Sequence, residues 1–167
     1  MSVVSHTSPI INLAAIGQLQ LLKQLYSKII LPEAVRQEIV VKGIGQAGSA
    51  KIDESKWIEV KTISNHEFIQ ALQLELDKGE SEAIGLALEL RADLLLIDER
   101  KARLVANRFG IHYIGILGIL IEAKQNGLIK AAKPFLDNLI AKAGFWISQG
   151  LYNRVLKEVG EDNSLSL

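Results

Sequence analysis

Hydrophobic positions along this chain follow two rhythms. Short apolar runs such as Val3-Val4, Ile29-Ile30-Leu31 and Leu94 to Ile97 alternate with stretches whose apolar residues recur every three or four positions. The first rhythm predicts buried strands and the second amphipathic helices. A strand over Ser2–Ser5 ends near His6, and Thr7-Ser8-Pro9 then offers a hydroxyl cap and an early Pro for a helix from Ile10 onward. Leu19 to Tyr26 predicts a second helix, which Gly17 separates from the first. After a strand at Lys28–Leu31, Pro32 opens a helix with Val35, Ile39 and Val40 inward. The Gly- and Ser-rich stretch between Lys42 and Ser55 reads as a mobile loop, and Trp57–Val60 as a strand near a sheet edge.

Asn65 caps a helix carrying Phe68, Ile69 and Leu72. The stretch from Gly79 to Arg103 (GESEAIGLALELRADLLLIDERKAR) predicts a helix, a turn, a buried strand and the start of another helix. A short strand around His112–Ile114 follows, then helices over Gly115–Gln125, Lys130–Ala143 and Ser148–Val159, with Gly127 as a stop. A tail over 161–167 is expected to fray, leaving a single domain over 1–160. Strands alternating with helices are the pattern of βαβ units, so the expected fold is α/β. Its central parallel sheet would be covered on both faces and extended by a helical C-terminal region.

That pattern directs attention to carboxylates. Glu80 begins the helix after Gly79, and Asp98 stands where the Leu94–Ile97 strand ends. In open α/β sheets, groups at strand carboxyl ends and neighbouring helix starts meet in one crevice. Helical spacing puts Glu80 on a stripe with Ala83, Ile84 and Ala87, and puts Glu82 on a more exposed stripe with Leu86 and Glu89. Each acid also has a local account: Glu80 as a first-turn residue favouring the helix dipole, Asp98 as an N-cap for the next helix. Glu38, two turns after Pro32, is a third candidate, and His6-Thr7-Ser8 a fourth; an ordinary helix-surface Glu and a local cap are their plain alternatives.

The composition contains no Cys and only three His, at 6, 66 and 112, without metal-ligand spacing. Disulfides and thiolate metal sites are thereby excluded, zinc is disfavoured, and a reducing cytoplasm is compatible. Carboxylates gathered without such ligands suit Mg²⁺ or Mn²⁺, and their mutual repulsion calls for a cation. Walker, dinucleotide-binding and serine-nucleophile motifs are missing. No apolar run approaches a membrane span, which predicts a soluble protein with no membrane partner. Net charge is zero, yet residues through Glu99 carry 14 acidic and 9 basic side chains, and those from Arg100 onward 5 and 10. A basic second half beside an acidic centre could hold a polyanion, or simply be solvated surface.

The segments VVSHTSPIINLAAIG, LPEAVRQEI, LDKGESEAIGLALELRADLLLIDERKAR and YIGILGILIEAKQNGLI, in this order over roughly residues 2 to 159, resemble the PIN-domain proteins. Within that family they are most similar to the toxin-like, predicted nucleic-acid-binding subfamily. The resemblance implies a three-layer α/β/α sandwich and metal-dependent RNA cleavage by clustered acids. It also implies a cognate antitoxin partner and homodimers for many members.

Carried over by position, the family acids fall on His6, Glu38, Glu80 (with Glu82 adjacent) and Asp98, and Thr7 matches the hydroxyl residue after the first acid. On this reading Glu38, Glu80 and Asp98 hold Mg²⁺ or Mn²⁺, with Thr7, Glu82 and Glu99 supporting them. Arg100, Lys101, Arg103 and Arg108 are candidates for the RNA backbone, or else a solvated helix face. The departure is His6, where the family has an acid: imidazole ligates Mn²⁺ better than Mg²⁺ and brings no negative charge. A cytoplasmic ribonuclease toxin is the leading expectation. A PIN module that binds RNA or a protein without cutting is the alternative.

Overall fold

The computed structural model describes residues 1–42 and 52–162; the expected mobile loop falls largely on residues 43–51, outside the described set. Five parallel strands form one sheet in the order β3-β2-β1-β4-β5, with β1 Val3–Ser5, β2 Ile29–Pro32, β3 Ile58–Lys61, β4 Leu94–Leu96 and β5 Tyr113–Ile114. The helices are α1 Thr7–Ala15, α2 Gln20–Tyr26, α3 Glu33–Lys42, α4 His66–Leu72, α5 Lys78–Glu89, α6 Arg100–Arg108, α7 Ile116–Gln125, α8 Lys133–Lys142 and α9 Gln149–Glu158. Their positions match the predicted rhythm.

The two-residue side-chain period of a strand explains why both faces need cover. Val3, Ile29, Leu31 and Leu96 join a core with Leu13 of α1, Leu22 of α2, Ile119 of α7 and Leu136 of α8. Val4, Ile30, Leu95 and Ile97 point the other way, into a core with Ile69 of α4, Ile84 of α5 and Val105 of α6. Three layers result, and β3 lies at the sheet edge as its mixed pattern predicts.

Several local expectations change. Helix α1 begins at Thr7 rather than Ile10, and the residue at its N-cap, His6, makes no capping bond. Val40, expected inward, is 46% exposed, because α3 buries the stripe through Val35 and Ile39 and Val40 lies one residue further round. Glu82, expected on an exposed stripe, is buried. Nearly all of α5 from Gly79 to Ala87 is buried, so that helix has little exposed face there.

Helix α8 begins at Lys133, later than predicted, where the Glu161 carboxylate accepts hydrogen bonds from Ala132 N (2.6 Å) and Lys133 N (3.0 Å). Glu161, the first residue of the expected frayed tail, is thus anchored, while residues 163–167 lie outside the described set. No helix among the described residues is long and apolar enough to cross a membrane.

Candidate functional site

Parallel pairing aligns every strand's carboxyl end along one edge, and there His6 follows β1, Glu33 opens α3 after β2, and Asp98 lies just beyond β4. The His6 N–H donates to Leu96 O at 2.9 Å, which fixes the end of β1 against β4. Residues 6–8 then turn their side chains to the site instead of capping their own helix. Thr7 Oγ1 donates to Glu38 Oε2 at 2.6 Å, and Ser8 Oγ donates to the Glu99 carboxylate.

His6 is buried at the centre of this group. Its Nδ1 lies 3.0 Å from Glu99 Oε2 and its Nε2 4.0 Å from Glu38 Oε2. Both ring nitrogens and Glu99 Oε2 nevertheless lack an in-line hydrogen-bond partner, so the contact is one of charge rather than a well-directed bond. Burial by itself would lower the imidazole pKa, but the neighbouring Glu99 carboxylate, with Glu38 and Asp77, outweighs it and holds the value above 6.5. For Glu99, burial acts upward and is overcome by His6 and by the Ser8 hydroxyl, which leave its carboxyl at about 2.

His6, Glu38 and Asp77 each offer a ligand atom, and these atoms all lie within 4.8 Å of one another. Two features suit a cation here: His6 Nε2, buried without a hydrogen-bond partner and able to ligate once deprotonated, and the repulsion between the Glu38 and Asp77 carboxylates. Gly79 keeps the space clear, since a Cβ there would stand 2.3 Å from Glu38 Oε1. One imidazole and two carboxylates form a mixed nitrogen–oxygen set, closer to Mn²⁺ preferences than to the all-oxygen surroundings favoured by Mg²⁺.

The other expected acids are turned elsewhere. Glu80 closes a capping box, its Oε1 accepting from Asp77 N at 3.0 Å while Asp77 Oδ1 accepts from Glu80 N at 2.7 Å. Burial raises its pKa all the same, and His6 and Glu99 both act on it, so it borders the cluster. Glu82 Oε1 accepts from Ala34 N at 3.1 Å, serving the amino end of α3.

Asp98 does not cap α6. Its Oδ1 accepts from Ile116 N at 2.9 Å, while Oδ2 is buried without a partner, and burial raises its pKa. Of the basic candidates, Arg108 is paired with Glu75 (2.8 Å), Arg103 lies over the Tyr113 ring, and Arg100 and Lys101 are exposed. Asp77 escaped the reading of the sequence, although its D-x-x-E spacing to Glu80 is a capping-box signature ahead of an apolar helix.

A parallel α/β/α sandwich with acids gathered at its carboxyl edge belongs to the open-sheet architectures whose sites lie at the strand ends. The family model described as a PIN domain matches residues 2–161, and the chain belongs to the PIN-domain family, a nuclease fold that generally works with divalent metal ions. Among solved structures it is similar to a PilT N-terminus domain protein from the hyperthermophilic archaeon Sulfolobus solfataricus P2. The two are 20% identical with a TM-score of 0.51, over 71% of this chain and 90% of that one, a likeness of fold. No curated protein matches the chain.

Proposed function

We propose that this chain is a divalent-metal ribonuclease, the toxin of a toxin–antitoxin pair acting in the cytoplasm. The observation that carries the reading is the convergence of His6, Glu38 and Asp77 at the carboxyl edge of the sheet, with Asp98, Glu80 and Glu99 around them. Glu38, Asp77 and His6 Nε2 would hold the ion, and Asp98 would complete the acidic rim with its unpartnered Oδ2. A divalent ion held by these residues would supply water activation and charge stabilisation for phosphodiester hydrolysis. Thr7 orients the Glu38 carboxylate, and Glu80 and Glu82 hold in place the helices that carry Asp77 and Glu38. Arg100 and Lys101, exposed on α6 beyond Asp98, are the candidates for RNA phosphates.

The mixed donor set favours Mn²⁺ over Mg²⁺. Cleavage of a mixed RNA pool tests this: the expected result is cutting in Mn²⁺, weak cutting in Mg²⁺, and none by Glu38→Gln. Absence of cutting in either metal, by both the wild type and His6→Asp, defeats the nuclease assignment. Growth arrest on expression, relieved by Glu38→Gln, tests the toxin role.

One observation favours a second reading. The carboxylates around His6 favour its protonated form, and an imidazolium there would offset part of the acidic charge without a metal. A PIN module that binds RNA or a protein partner without cutting would retain binding in Glu38→Gln and in EDTA.

A further inference from the structure

A second cleft has Asp98 in its lining. It has a volume of about 220 Å³ and runs between the start of α7 and helix α9. Leu117 and Val155 give it apolar walls, and Arg103 lies at its inner end with Nε buried and unpartnered and its guanidinium 5.0 Å from the Tyr113 ring centroid. The outer rim is formed by Arg154 and Glu158, one turn apart on α9 and so on the same side of that helix. Gly115 lines the cleft against Asp98, where a Cβ would stand 2.3 Å from Asp98 Oδ1.

The lining limits what can enter. The volume is below the roughly 300–1,000 Å³ usual for drug-sized ligands, so a single planar group fits better than a nucleotide. A lone phosphate gains no net attraction, since Asp98 and Glu158 offset Arg103 and Arg154 in the lining. A purely apolar group would strand two guanidiniums and two carboxylates. The remaining match is an unpaired nucleobase, flat and apolar on its faces and polar at its edge.

Among the bases, guanine uses both rim groups. Its O6 and N7 accept from an arginine, and its N1–H and amino group donate to a carboxylate. We propose that the cleft between Asp98 and α9 binds an unpaired guanine of single-stranded RNA, read by Arg154 and Glu158, next to the point of cleavage. The inference deepens the ribonuclease reading and rests on it for its biological meaning.

Binding tests it without cleavage. Fluorescence anisotropy in EDTA compares short single-stranded uridine-rich RNAs carrying one central guanosine, adenosine or cytidine, or none. The guanosine RNA should bind about tenfold more tightly than the others, and Arg154→Ala and Glu158→Gln should each remove that preference. Both side chains are exposed, so the fold survives either change. Equal affinity for all four RNAs overturns the proposal. So does a guanosine preference that persists in both variants, or a loss in Arg154→Ala that is uniform across the RNAs and marks a phosphate contact. Cleavage in Mn²⁺ without guanosine preference defeats this inference alone, whereas guanosine preference without cleavage in any metal defeats only the nuclease reading.

Discussion

His6 Nδ1 lies 3.0 Å from Glu99 Oε2, placing an imidazole among the carboxylates at the carboxyl edge of the sheet. Each partner stabilises the charged form of the other, as their opposite pKa shifts record. The folded-state value of His6 is raised above 6.5, so its contribution to stability is full below that pH and is lost as pH rises through the folded value. Glu99 is depressed from 4.5 to about 2, so its contribution is present above 4.5 and is lost as pH falls toward 2. Without added metal, thermal unfolding should therefore show greatest stability between pH 4.5 and 6.5 from this pair, with a decline on the alkaline side that His6→Gln abolishes. An unchanged alkaline slope in His6→Gln would show that the pair is not coupled to folding.

Asp77 has two roles that substitution can separate. Asn is as good an N-cap as Asp, so Asp77→Asn should leave the unfolding free energy nearly unchanged while weakening Mn²⁺ binding about tenfold or more. Asp77→Ala should lose the cap as well, at about 1 kcal/mol. Titration calorimetry with Mn²⁺, set beside urea unfolding, reads both; equal Mn²⁺ affinity in all three proteins would remove Asp77 from the site.

Two glycines make a matched test of the carboxylates. A methyl at Gly79 would stand 2.3 Å from Glu38 Oε1, and one at Gly115 would stand 2.3 Å from Asp98 Oδ1. Gly79→Ala should displace the Glu38 carboxylate and weaken Mn²⁺ binding by about tenfold, with the fold retained because the obstruction is a side-chain tip. If Asp98 also contributes, Gly115→Ala lowers affinity comparably; if it does not, only the Gly79 variant responds.

Glu82 is expected to matter through position rather than contact. Glu82→Ala leaves Ala34 N at the start of α3 without its acceptor and should cost about 1–3 kcal/mol of stability. Because α3 carries Glu38, Mn²⁺ affinity should fall too, and Glu82→Gln, which keeps an acceptor oxygen, should restore most of both. A Gln variant as defective as the Ala variant in Mn²⁺ binding, yet normally stable, would instead make the Glu82 charge part of the metal site.

The Glu161 carboxylate ties the end of the described chain to Ala132 N, Lys133 N and, at 3.3 Å, Lys124 Nζ. Glu161→Ala should destabilise the protein by about 1 kcal/mol and speed amide exchange at the start of α8. Unaltered exchange there would show that the contact carries no stability.

Much of this protein was legible in the order of its residues. Alternating short apolar runs and helical spacings predict the parallel sheet, because strand and helix periods differ and each dictates which side chains are buried. The carboxyl-edge location of His6 and Asp98 follows from the same pattern, since parallel strands must end together. Which carboxylates face one another did not follow. Helical spacing chose Glu80 over Glu82 on the assumption that α5 has an outer face, whereas that helix is enclosed and both acids are used to terminate helices.

Asp77, the N-cap of α5, reaches His6 and Glu38 only because α5 is packed against α3 and the end of β1. Thr7 and Ser8 similarly pass over their own helix for carboxylates 31 and 91 residues away. Local periodicity determines which segments form and which faces are buried. The partner of each polar atom is decided by distances between segments remote in sequence, and these exist only once the layers have packed.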